Sequence, residues 1–108
     1  MAAGFGDMQS LLKQAQDMQR RMQETQQALS AQMLEGTAGG GAVTVCVNGN
    51  QELQSIKIDP AAVDPGDVEA LEDLVTVAVR QALAAAKQLR EQETAKVTGG
   101  LNLPGMGF

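Results

Sequence analysis

Few residues in this chain are equipped for covalent chemistry. It has no histidine, so the commonest general base near neutral pH is missing. The single cysteine, Cys46, lies in the run Val43-Thr44-Val45-Cys46-Val47 with no evident base to activate it. One cysteine cannot close an internal disulfide or build a multi-thiolate zinc site. Its plain reading is a small, half-buried strand side chain. The run Gly39-Gly40-Gly41 suggests a phosphate cradle, but Ala42-Val43 follow where such a loop needs Lys and Ser or Thr. It reads instead as a flexible connection between strands. Neither catalysis, nor a cofactor, nor a metal is expected. What remains is a set of cations. Lys13 and Arg20 are seven residues apart, as are Arg80 and Lys87, and Arg21 and Arg90 lie beside them. Seven residues are two helical turns, roughly 10 Å, so each pair lines one face of a helix. Taken alone, a basic face opposite an apolar stripe is ordinarily just solvated.

The elements that must hold these cations are legible from periodicity. Met8, Leu11, Ala15, Met18, Met22, Thr25 and Leu29 recur at alternating spacings of three and four, the seam of a coiled-coil-like helix. Polar residues fill the gaps, with eight glutamines from Gln9 to Gln32. A helix over residues 7–33, with Asp7 as N-cap, would be roughly 40 Å long. One end can pack on its own domain and the rest calls for a partner. Gly36 and the glycine run end it.

Val43, Val45 and Val47 then alternate with Thr44 and Cys46 as a half-buried strand. Asn48-Gly49 is a hairpin signal because both residues tolerate positive φ. Ile56 and Ile58 alternate with Ser55 and Lys57 on the return, which Asp59-Pro60 closes. Residues 34–38 offer a further short strand, so two to three strands fall within 34–59. A second helix is expected over 65–96, with Asp64 as N-cap and Pro65 in its first turn. Its stripe is Val68, Leu71, Val75, Ala78, Ala82, Ala85 and Leu89, with an alanine centre that permits close approach. Residues 98–108 hold too much glycine for a regular element and are expected to be a flexible tail whose apolar residues are available to a partner.

The fold class is therefore α+β: a long helix, a small antiparallel sheet and a second long helix, in a single domain spanning 1–108. The core is small and nearly free of aromatics, with two Phe and no Trp or Tyr, so association is a natural supplement. No segment reaches transmembrane length, and the first residues lack the pattern of a secretory signal, so a cytoplasmic location is expected. Net charge is −5, but unevenly placed: residues 35–73 hold eight acids against Lys57 alone, while both ends are balanced to basic.

Five stretches occur in an order and spacing that resemble a known family. They are Lys13-Gln14-Ala15-Gln16-Asp17-Met18-Gln19 with Met22, Val43-Thr44-Val45-Cys46-Val47-Asn48-Gly49, Ile56-Lys57-Ile58-Asp59-Pro60, Leu71-Glu72-Asp73-Leu74-Val75, and Leu103-Pro104-Gly105. No one of them is diagnostic. As an ordered set over Gly4 to Phe108, they resemble the YbaB/EbfC family of small bacterial nucleoid-associated proteins. That resemblance implies a helix–strands–helix protomer and an intertwined homodimer with projecting helices. It also implies binding to double-stranded DNA with weak or variable sequence specificity, in nucleoid organisation or gene regulation. The family's contact through helical ends makes Lys13, Arg20, Arg21, Arg80, Lys87 and Arg90 the candidate DNA-binding residues. Met8, Leu11, Ala15, Met18, Met22, Leu29, Val75, Ala78 and Ala82 become the core and dimer seam. The alternative is a protein-interaction adaptor with little direct DNA affinity, since genes of this family often neighbour recombination and replication factors. A DNA repair or replication protein would then be the partner.

Overall fold

The computed structural model describes residues 2–99, with side chains from Asp7 onward. Most of the expected tail, 100–108, lies outside the described residues. The order is α1 (Ala2–Ala31), β1 (Met33–Ala38), β2 (Val43–Asn48), β3 (Leu53–Ile58), a 3-10 turn (Pro60–Ala62) and α2 (Val68–Thr98). Three antiparallel strands form a meander with β2 in the centre. The molecule is a rod of 79 × 26 × 16 Å.

The core is a contact between sheet and helix. Val43, Val45 and Val47 on β2 are fully buried, as are Ala78, Ala82 and Ala86, spaced by four on α2. Alanine on that stripe lets the helix backbone lie directly on the sheet. Gly36 of β1 completes the fit: a Cβ there would stand 2.1 Å from the Ala78 carbonyl oxygen and 2.6 Å from the Ala82 nitrogen. The backbone N–H of Thr37 donates to Gln81 Oε1 at 2.6 Å, so α2 also blunts part of the β1 edge.

α2 lies across β1 and β2, and β3 is exposed along its whole length. Val43 pairs with Ile58, Val45 with Ile56 and Val47 with Leu53, so these β3 residues share the face of the buried valines. Among the described residues α2 does not cover them, and Leu53, Ile56 and Ile58 are 56%, 42% and 38% exposed.

The hairpin between β2 and β3 is also the seat of α1. Asn48, 4% exposed, accepts from the backbone N–H groups of Asn50 and Glu52 at 3.0 Å and donates to Glu52 Oε1 at 2.8 Å. The backbone N–H of Gly49 donates to both Leu29 O and Gln32 O at 2.9 Å, capping the last turn of α1. Asn50 Nδ2 donates to Gln26 O, and buried Leu29 packs over the turn.

Several local expectations need correction. Asp7 is not an N-cap, because α1 begins at Ala2 and ends at Ala31 rather than at residue 33. Asp64 and Pro65 do not open α2. Asp64 Oδ1 accepts from the Gly66 backbone in a local turn, and Asp67 is the cap, accepting from the Ala70 N–H at 3.2 Å. The helix runs on to Thr98. In its stripe Ala86, rather than Ala85, is fully buried. Positive φ in the hairpin falls on Gln51, at 63°, and not on Asn48 or Gly49. Three glycines, 39–41, all adopt positive φ in a defined turn that Ala42 N–H closes onto Gly39 O.

Candidate nucleic-acid interface

α1 reaches the sheet at Leu29, while α2 leaves it beyond Ala86. The two helices therefore run antiparallel away from the sheet as an arm. Its internal seam is Met18, Met22, Thr25 and Leu29 of α1, half-buried to buried, against the last three turns of α2. Farther out Met8 and Leu11 are 63% and 65% exposed, and Ala15 is exposed as well. The expected seam thus divides: its inner half packs within one chain and its outer half does not.

The six candidate cations are distributed over this arm and its root. Lys87 and Arg90 come together with Gln26, Gln51 and Glu91 along one side of the interhelical groove, a space of about 490 Å³. Arg21 lines the other side with Glu24, Gln32, Glu93 and Lys96. Lys13 and Arg20 lie roughly 160–180° around α1 from the apolar seam. Arg80 lies on the outer face of α2 above the sheet, two residues from buried Ala78 and exposed to solvent. The structure does not bring Lys13, Arg20 or Arg80 into the groove with Arg21, Lys87 and Arg90.

Ion pairing sorts them further. Arg20 is engaged by Glu24 at 3.1 Å and Asp17 at 3.7 Å, one turn away on either side. Lys96, absent from the candidates read from sequence, pairs with Glu93 at 3.1 Å. Its position in the last turn of α2, beside Arg21 across the groove, could have suggested it. Among the described residues, Lys13, Arg21, Arg80, Lys87 and Arg90 form no ion pair. The acids Asp59, Asp64, Asp67, Glu69, Glu72 and Asp73 gather at the start of α2, with no Lys or Arg between Lys57 and Arg80. From Val68 to Arg90 is roughly 33 Å along the helix, so this acidic cluster is separated from the cations of the arm, which itself carries Asp7, Asp17, Glu24, Glu91 and Glu93. Such an arm can meet a polyanion while its acidic root stays clear.

The sequence profile of the YbaB/EbfC DNA-binding family matches residues 4–101, nearly the whole chain. The chain belongs to the YbaB/EbfC DNA-binding family. Relatives named nucleoid-associated protein include one from Clostridium kluyveri, 52% identical over 103 residues, covering 95% of this chain and 90% of the relative. Another, from Chloroflexus aurantiacus, is 52% identical over 95 residues, covering 88% and 95%. The crystal structure of an uncharacterized protein from Helicobacter pylori is alike in fold, with a TM-score of 0.74 at 23% identity, covering 88% of this chain and 97% of that one. No helix among the described residues of this YbaB/EbfC member is long and apolar enough to cross a membrane.

Proposed function

We propose that this chain is a non-enzymatic nucleoid-associated protein that binds double-stranded DNA as a homodimer. Contact is made mainly to the phosphate backbone, with weak or variable sequence specificity, in the cytoplasm at the nucleoid. The observation that carries this reading is the charge separation along a family-typical chain: unpaired Lys13, Arg21, Lys87 and Arg90 on the arm, and six acids at its far root. Lysine and arginine on exposed helix faces neutralise phosphates and release counterions without reading bases. The chain has no Trp or Tyr, and its two Phe, Phe5 and Phe108, lie outside the described side chains, so the described part of the arm offers no aromatic platform for stacking on bases.

The second copy docks on the open part of the sheet. Leu53, Ile56 and Ile58 form an apolar strip continuous with the core face, on an edge strand whose backbone has one free side. Pairing there leaves both arms projecting and doubles every cation.

The test is fluorescence anisotropy with two unrelated duplexes across a salt series. Changing Lys87→Gln and Arg90→Gln together should weaken binding to both duplexes alike. It should also flatten the log–log salt slope by about 1.8 for each protomer in contact, at about 0.9 per phosphate neutralised. Folded double variant with unchanged affinity and slope would refute these contacts. A second reading, a protein-interaction adaptor, draws on the acidic segment with exposed Val63 and Val68. It would show as capture of a repair or replication protein by wild type and its loss with Val68→Asp, in a chain that binds neither duplex at low salt.

A further inference from the structure

Gln51 is the one non-glycine residue with positive φ among the described residues, at 63°. A left-handed backbone carries a steric cost for any residue with a Cβ, and glycine avoids it, so a glutamine held there calls for a reason. The hairpin itself does not supply one. Asn48 organises its turn, and Gly49 makes its close approach to α1. The Gln51 backbone N–H donates to Asn48 O at 3.0 Å, a bond that glycine would make equally. The reason therefore lies in the side chain.

That side chain crosses from the hairpin to α2. Gln51 Nε2 donates to the Leu83 carbonyl oxygen at 3.4 Å, longer than the usual range of about 2.7–3.2 Å and correspondingly weak. As a clip between sheet and helix it offsets little of the backbone cost. It does fix where the amide sits. In an α-helix the Leu83 carbonyl accepts from the Lys87 backbone, so the Gln51 amide lies at the foot of Lys87. Helical side chains lean toward the N-terminus, which tips the Lys87 stem back toward that amide. Gln51, Lys87, Arg90 and Thr94 all line the groove of about 490 Å³ between the helices. The second amide N–H of Gln51 has no acceptor among the described residues, and Lys87 and Arg90 have no ion-pair partner there. Glu91 also lines the groove, roughly 100° around α2 from Arg90, so an anion is received on the side of Arg90 and Thr94.

We infer that Gln51 is a DNA contact, its free amide N–H donating to a phosphate oxygen held by Lys87 and Arg90 at the root of the arm. This contact rests on the DNA-binding reading and adds to it a neutral donor from the sheet. An amide hydrogen-bonds to a charged acceptor without displacing a counterion, so it adds affinity but no salt dependence. Phosphate oxygens recur at every step of the duplex, so it adds no sequence preference either.

The test is anisotropy with two unrelated duplexes across a salt series, beside urea denaturation of the same proteins. Gln51→Gly removes the amide and relieves the left-handed backbone, so its urea midpoint should match or exceed that of wild type. Its affinity should fall about tenfold for both duplexes at every salt concentration, with the log–log slope unchanged. Gln51→Asn tolerates the left-handed backbone but carries a shorter amide that falls short of the phosphate, and should behave alike. Lys87→Gln is the contrast and should flatten the slope by about 0.9 for each protomer in contact. Wild-type affinity in both Gln51 variants would overturn the inference and leave the DNA-binding reading standing. So would a lowered urea midpoint in both, a slope flattened as in Lys87→Gln, or a loss confined to one duplex. Wild type that binds neither duplex would overturn the inference together with the reading beneath it.

Discussion

Gly36→Ala is the most severe single-methyl change this fold offers. The added Cβ would stand 2.1 Å from Ala78 O and 2.6 Å from Ala82 N. Both obstacles are helix backbone, so no rotamer change relieves them. Reaching even 3.0 Å from the oxygen requires β1 and α2 to part by about 0.9 Å. A gap of about 0.5–1 Å forfeits a quarter to a half of the dispersion well at each contact it opens. Those contacts join the strands' Ala38, Val43, Val45 and Val47 to Ala78, Ala82 and Ala86 of the helix, the buried cluster of sheet and helix. Overpacking of this kind costs about 1–3 kcal/mol, and backbone obstruction on both sides puts this case at the upper end. Against a total of about 5–15 kcal/mol, that is a large fraction. In urea denaturation followed by far-UV circular dichroism, the midpoint should fall by about 1–3 M at slopes of about 1–3 kcal/mol/M. Protein concentration is matched throughout, since the proposed dimerisation would add to apparent stability. Gly40→Ala is the comparison. Its φ is +66° with open space around it, so it carries only the left-handed backbone cost of about 1–2 kcal/mol. A Gly36→Ala midpoint indistinguishable from wild type, or higher than that of Gly40→Ala, would refute the direct strand-on-helix packing.

Three further changes probe the seat of the arm, its pairing and its charge. Asn48→Ala removes the acceptor of two turn N–H groups at a buried site and should cost about 1–3 kcal/mol in the same denaturation assay. Ile56→Glu with Ile58→Glu, on exposed β3, should leave helical content unchanged and shift sedimentation toward a single chain. Arg20→Gln should alter the DNA salt slope less than Arg90→Gln, because Arg20 already spends its charge on Asp17 and Glu24.

The sequence was informative where one physical requirement dominated. Alternation at Val43, Val45 and Val47 and the three-four spacing around Ala78 and Ala82 each had one way to be buried, and the structure buries them. Where several residues could meet the same requirement, the choice depended on neighbours far along the chain. Asp64 and Asp67 both suit a helix start, and the local turn at Gly66 consumes Asp64 and leaves Asp67 as cap. Asn48-Gly49 promised positive φ, but Asn48 serves as the acceptor that organises the turn. Gly49 is needed for approach to Leu29, where a Cβ would lie 2.7 Å from the carbonyl oxygen. Positive φ passes to Gln51. The open β3 face was hidden because alternation looks the same whether the cover is the chain's own helix or another copy. For the cations, spacing revealed the faces but not the pairing. Asp17 and Glu24 were visible at three and four residues from Arg20, and only the structure joins them to it.

If the arm binds DNA through Lys13, Arg21, Lys87 and Arg90, the salt dependence of wild-type binding reports those contacts. Affinity for two unrelated duplexes should be measured from about 50 to 200 mM salt, the range over which phosphate contacts lose most of their strength. With these four cations engaged, the two sequences should give parallel lines, with a slope of about −3.6 for one arm and about −7 for two. No binding at the lowest salt, or a slope near zero, would contradict those contacts.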